Sequence, residues 1–236
     1  MQSYTRHQLK EDKFKEASLH ALEAAQAHRK QITLISVIVL VIVVAAGATY
    51  YWHTHQQDVA SVAMGEAMNV YNAPLRAPDA PATPGQLTFT SAEQRSKEAE
   101  KQFQSVADKY GNTQAGKNAA YMAAVSALEA GDYPSAESKF KALSEARHQD
   151  LASLAKLGLA STYEATNRNA DAIKIYSDLM SHPTESVSRE RAQFALATLY
   201  ESTDPAQAKK MYEQLASDKS PGVAQIARER EAALAK

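Results

Sequence analysis

Residues 129–140 read EAGDYPSAESKF, and this stretch decides the fold. Gly131 suits a turn, Asp132 offers an oxygen that can cap a helix, and Pro134 lacks an amide that a helix start leaves unpaired anyway. Ala136 and Phe140 then fall one turn apart on one helical face. The same spacing recurs as Ala99-x3-Phe103-x2-Val106, Ala136-x3-Phe140-x2-Leu143, Ala172-x3-Tyr176-x2-Leu179 and Ala208-x3-Tyr212-x2-Leu215, with the alanines 37, 36 and 36 residues apart. A second motif precedes the last three: Ala123-Ala124-x2-Ala127, Leu159-Ala160-x2-Tyr163 and Leu196-Ala197-x2-Tyr200. Each unit is therefore a pair of helices, A and B, neither of which buries its stripe alone. The alanine lets two backbones approach, and the aromatic one turn later fills the space beside it.

This pattern resembles the tetratricopeptide repeat, whose helix pairs carry a Leu-Gly/Ala-x2-Tyr element followed by Gly-x-Tyr-x2-Ala-x3-Tyr/Phe. The resemblance covers about residues 92–217, with a period nearer 36 than the family's roughly 34 and the early aromatic of helix A missing in places. It implies an all-α protein built as an α-α superhelix of tetratricopeptide-like helix pairs. Turn chemistry agrees: Asp204-Pro205 repeats the capping pair of Asp132 to Pro134, and Asn167 to Asn169 breaks the middle unit. Thr90-Ser-Ala-Glu93 reads as a capping box opening helix B of the first unit, Ala92 to Tyr110, and Asp58 to Tyr71 reads as its helix A. Between them APLRAPDAPATPG holds Pro74, Pro78, Pro81 and Pro84, which predicts an exposed linker or loop interrupting that unit. Pro221 to Lys236 reads as an amphipathic capping helix.

Upstream, Ile32 to Trp52 reads ITLISVIVLVIVVAAGATYYW, with no Lys, Arg, Asp or Glu between Lys30 and Asp58. That is the length a helix needs to cross roughly 30 Å of hydrocarbon. Tyr50, Tyr51 and Trp52 form an interfacial aromatic belt. Arg6, Lys10, Lys13, Lys15, Arg29 and Lys30 precede the span, whereas the next basic residue after it is Arg76. This asymmetry predicts a cytoplasmic N-terminus and external repeats, periplasmic in a bacterium. The rival is a signal peptide cleaved near Ala46-Gly47-Ala48, which a long charged leader and the aromatic belt beyond the site disfavour. Without cysteine there is no lipoprotein anchor.

The expected organisation is a cytoplasmic helical tail at 1–30, a single transmembrane helix at 31–53, and a helix plus proline-rich loop at 54–91. Repeats at 92–217 and a capping helix at 218–236 complete it. In the tail, Phe14, Ala21, Leu22 and Ala25 make a thin apolar stripe on an expected helix. By layout more than by motif, the whole resembles the ancillary SecYEG translocon subunit and cell-division coordinator type of tetratricopeptide domain. That resemblance implies a bacterial inner-membrane protein whose repeats contact a translocon subunit, a periplasmic chaperone or an unfolded client. The alternative role is a structural scaffold of an envelope-assembly or division complex.

Composition narrows the chemistry further. Lys plus Arg number 26 against 27 Asp plus Glu, so no overall charge attracts nucleic acid, and the absence of cysteine excludes disulfides and thiolate metal sites. Gly111-Asn-Thr-Gln-Ala-Gly116-Lys117-Asn118 resembles a P-loop, but Asn118 lacks the hydroxyl for magnesium, a helix precedes it, and no strand ending in Asp follows. It reads as the turn between repeats. His53-Thr-His55 would place two imidazoles on one side of an extended segment with no carboxylates beside them, and interfacial anchoring explains it better. Ser153-x-x-Lys156 sits in a helix without the companion motifs of a penicillin-binding site. Tyr133, Tyr163, Tyr176, Tyr200 and Tyr212 lie on the repeat grid and are expected in the core. No catalytic, metal or cofactor site and no small-molecule substrate is expected.

Binding remains. The A helices of such a solenoid line its concave face, and carrying the family's groove positions across implies Asn118, Tyr121, Val125, Leu154, Leu157, Arg191, Phe194 and Thr198. The stripe is apolar and aromatic with one strong cation, which suits an amphipathic or extended apolar protein segment. It lacks the Lys and Asn set with which some tetratricopeptide domains clamp a terminal carboxylate. The same positions also suit packing between neighbouring repeats, and the sequence leaves the two open.

Overall fold

The repeat alanines Ala99, Ala136, Ala172 and Ala208 are all fully buried, and so are the aromatics that follow them, Phe103, Phe140, Tyr176 and Tyr212. The computed structural model describes residues 28–81 and 84–234. The helices are α1 (Arg29–Tyr71), α2 (Ala92–Tyr110), α3 (Gln114–Glu129), α4 (Tyr133–Ser144) and α5 (Gln149–Ala165). They continue as α6 (Asn169–Ser181), α7 (Arg189–Thr203), α8 (Pro205–Ala216) and α9 (Pro221–Leu234). Most of the N-terminal tail expected as a helix lies outside the described residues.

The chain divides into two units, Met1–His55 and Gln56–Lys236. In the first, α1 is long and apolar enough to cross a membrane, with a mean hydropathy of 2.7 over its best window. Protein covers none of that window, and Leu34, Val41 and Trp52 stand about three-fifths exposed. Thr33 and Thr49 return their hydroxyls to the carbonyls of Arg29 and Ala45, so their polarity is spent within the helix.

The two helices expected at 31–53 and 58–71 are one, because α1 runs unbroken from Arg29 to Tyr71. Nothing from His53 to Gln57 is a Gly or Pro, so no residue stops propagation there.

In the second unit consecutive helices pack in pairs from α2 to α9, and next-but-one contacts join α3 to α5 and α7 to α9. This is a helix-pair solenoid. The end of α1 serves as helix A of the first pair: Ala60 and Ala67 are buried with Ala99 and Phe103, and Tyr71 tilts against Phe103 at 6.1 Å. α3, α5 and α7 are the later A helices, and α4, α6 and α8 their B partners. Asp132 and Asp204 cap α4 and α8 by accepting from the amides of Ser135 and Gln207, each at 3.1 Å. Asn167 takes a left-handed φ of 58° before α6.

One local expectation is corrected. The N-cap is Ser91, not Thr90, and no Thr90–Glu93 capping box forms: Ser91 Oγ accepts from the Gln94 amide at 3.1 Å, Thr90 Oγ1 donates to the Gln94 side chain at 2.6 Å, and Glu93 pairs with Lys97 at 2.6 Å. The proline-rich segment is a mostly exposed loop whose ends are tied by an isolated parallel bridge between Leu75 and Phe89. Arg76 holds it closed, with its amide donating to the Phe89 carbonyl at 2.8 Å and its guanidinium to the Ala80 carbonyl at 2.7 Å.

Candidate functional site

Helical spacing puts three residues of each A helix on the expected groove face, and the repeat spacing groups them in three sets, called rungs here. Asn118, Leu154 and Arg191 form one, Tyr121, Leu157 and Phe194 the next, and Val125, Ser161 and Thr198 the third. None of the eight residues expected there is fully buried: Asn118, Arg191 and Thr198 are exposed, and the other five are half-buried against the core. Ser161 occupies an equivalent position that the sequence reading did not single out.

Each half-buried aromatic leans on a core ring from the B helix of its own pair. Tyr121 meets Phe140 edge-on at 6.0 Å, and Phe194 meets Tyr212 edge-on at 5.5 Å. Both rings pack against the core and remain partly exposed. Burial raises the Tyr121 phenol, and the Arg191 guanidinium opposes that rise. Arg191 Nη1 donates to the Ser186 carbonyl at 2.9 Å.

The third rung differs in chemistry. In α5 and α7 its hydroxyls approach core tyrosines, Ser161 Oγ lying 3.4 Å from Tyr176 Oη and Thr198 Oγ1 3.2 Å from Tyr212 Oη. Those tyrosines in turn donate to Glu164 and Glu201. In α3 the same places hold Val125, Phe140 and Leu128, so the first full repeat is apolar where the next two are polar. Burial is the main cause that raises the Tyr176 phenol, followed by its bond to Glu164. The same causes push Tyr212 up to about 12.

Beyond the last rung, α9 extends the A-helix row. Its Ala224 and Ala227 are buried, Arg228 donates to the Ala216 carbonyl at 3.1 Å, and Arg230 reaches Glu201 at 3.6 Å. Between α7 and α9 lies a cleft of about 420 Å³ with Arg191, Phe194, Val223 and Ile226 in its lining. The sequence reading treated α9 as a cap and missed Val223 and Ile226. Their only signal was two bulky apolar residues at helical spacing ahead of the charged run Arg228 to Glu231.

The motifs read as look-alikes are structural. Gly116 lies at the corner between α2 and α3, where a Cβ would run into the Tyr110 carbonyl. Thr113 caps α3 by accepting from the Gly116 amide at 2.9 Å and donating to the Tyr110 carbonyl at 2.7 Å. The corner thus uses its own amide and hydroxyl. His53 and His55 lie on helix α1, not on an extended segment, so two positions turn them about 200° apart. Among the described residues no three His, Asp or Glu side chains gather as a metal site. Ser153 is buried and Lys156 pairs with Asp178 at 2.7 Å. Tyr163, Tyr176 and Tyr212 are buried, whereas Tyr133 and Tyr200 are only partly so.

Comparison with known proteins agrees with this architecture. No curated protein and no solved structure matches the chain significantly. The tetratricopeptide repeat-like domain matches residues 26–177, and a further tetratricopeptide repeat matches residues 191–218. Such repeat proteins mediate protein–protein interactions and are characteristically non-catalytic scaffolds. With helix pairs on a 36-residue grid and more than half its length matched, the chain belongs to the tetratricopeptide repeat-like domain family.

Proposed function

We propose that this protein is a membrane-anchored adaptor whose repeat groove holds an apolar or amphipathic segment of a protein partner. The observation that carries this reading is the row formed by Tyr121, Leu157 and Phe194, flanked by Leu154: bulky side chains half-buried on one face of successive A helices. Rings packed against the core lose little entropy on binding and offer large apolar area to a partner. The anchor is the apolar part of α1, about 21 residues ending in Tyr50, Tyr51 and Trp52. Basic residues lie before it, which favours a cytoplasmic N-terminus and periplasmic repeats at a bacterial inner membrane. On that side the partner is a translocon subunit, a chaperone or an unfolded client.

A photo-crosslinking amino acid placed at Tyr121 or Phe194 in cells is expected to give a discrete adduct. The same amino acid at Lys174, an exposed B-helix position, is expected to give none. Equal adducts at all three positions would sink the groove reading. Orientation is tested separately in this cysteine-free chain with single cysteines at Ser18 and Ser217 and a membrane-impermeant thiol reagent on spheroplasts. Labelling at 217 alone supports external repeats, whereas labelling at 18 alone inverts the protein and makes the adaptor cytosolic.

A further inference from the structure

The cleft between α7 and α9 has a divided chemistry. Phe194, Val223 and Ile226 supply its apolar wall, and Ile226 stands half exposed there, although α9 is the helix that should close the solenoid. A helix serving only as a cap turns a polar side outward. The charges around the cleft are unequal in freedom. Asp218 accepts from the Ser220 amide at 2.7 Å, and Glu190 is held below the usual carboxylate range by its own backbone amide and the Ser188 hydroxyl. Asp218 is thus occupied by a backbone amide, and the start of α7 favours the charged form of Glu190. Arg191 bonds only a backbone carbonyl and has no carboxylate partner among the described residues, and it stands exposed on α7 beside Phe194 in the cleft lining.

We propose that this cleft is the anchor subsite of the groove, taking a bulky apolar side chain from a partner segment that carries an Asp or Glu a few residues away for Arg191. The inference rests on the groove reading and makes it specific. A cleft of about 420 Å³ holds one aromatic or branched side chain with room for its backbone neighbours. The guanidinium, with donors still uncommitted, is matched by a carboxylate. Apolar insertion supplies affinity while the charge pair sets register and direction.

The test uses the full chain in detergent micelles and a random peptide library displayed on phage, with enriched peptides resynthesised carrying a fluorescent label. Enriched peptides are expected to pair a Phe, Leu, Ile or Trp with a nearby Asp or Glu. Ile226→Gln and Arg191→Glu should each weaken them by about tenfold or more. Arg191→Glu should regain binding when the peptide's acid is replaced by Lys, a rescue that a merely structural role would not produce. Both side chains are exposed or half exposed, and unchanged helicity of each variant by circular dichroism keeps the comparison valid. Peptides that lack an acid, or that ignore both substitutions while losing affinity to Leu157→Gln, overturn this subsite and leave the groove reading standing. No enrichment at all overturns both.

Discussion

The Tyr212 hydroxyl donates to a Glu201 carboxylate oxygen at 2.6 Å, tying helix B of the last repeat to its own helix A. Arg230 of α9 approaches the same oxygen at 3.6 Å, so one carboxylate joins three helices. Tyr176 and Glu164 repeat the bond one unit earlier, whereas Phe140 and Leu128 hold the equivalent places without it.

Tyr212→Phe should therefore cost about 1–2 kcal/mol, since it removes the bond to Glu201 and the contact with Thr198 while Glu201 keeps Arg230. Adding Glu201→Leu to that variant reproduces the Phe140 and Leu128 pairing, and its further cost should be smaller than the cost of Glu201→Leu alone. A double-mutant cycle by urea unfolding measures the difference, and strict additivity would deny the coupling. Alkaline titration of phenolate absorbance checks the same bond, because Tyr212 should resist ionisation until about pH 12.

Burial raises the Glu164 carboxyl above its ordinary value, and the Tyr176 hydroxyl only partly offsets it. The folded chain then holds that proton more tightly than the unfolded chain. The stability due to Glu164 is fully present below the unfolded carboxyl pKa, about 4.3, and falls as pH rises through the higher folded value. Glu164→Gln keeps an acceptor for Tyr176 without the ionisation. Its stability relative to the parent should rise between about pH 4 and pH 7 in parallel thermal melts. A difference independent of pH would refute this account.

At the corner between α2 and α3 the glycine is structural and the lysine is not. Gly116→Ala drives a methyl into the Tyr110 carbonyl, a backbone atom that cannot rotate away, and should destabilise by at least about 1–3 kcal/mol. Lys117→Ala should stay within about 0.5 kcal/mol. Gly158→Ala meets the fully buried Phe140 ring and should cost about 1–3 kcal/mol. Thermal unfolding of the three variants ranks them, and a large loss from Lys117→Ala would show that the lysine is structural after all.

Asp204 caps α8 through the Gln207 amide, and Asp204→Ala should remove about 1 kcal/mol. The loss should be local, because in a solenoid each pair leans mainly on its neighbours. Hydrogen exchange is expected to quicken at the start of α8 and in α9 while α2 and α3 stay protected. Uniform quickening along the chain would indicate a single cooperative unit.

The repeat grid, the Asp132 and Asp204 caps, the exact extent of α2 and the core roles of Phe103, Phe140, Tyr176 and Tyr212 were all legible in the residues alone. Each is written in local spacing: a 3.6-residue period marks a buried stripe, and a capping oxygen lies next to the amide it serves. Where two local solutions competed, only the folded chain chose between them. Ser91 took the cap by accepting from the Gln94 amide, while Thr90 donates to the Gln94 side chain and Glu93 pairs with Lys97, and α1 stayed whole because no breaker separates its apolar part from its first-repeat part. The pairing of Tyr212 with Glu201 and the cleft that α9 makes beside Phe194 depend on which helices become neighbours. Contacts between residues on different helices are set by how those helices stack, and the periodicity of a single helix carries no record of its neighbour's side chains.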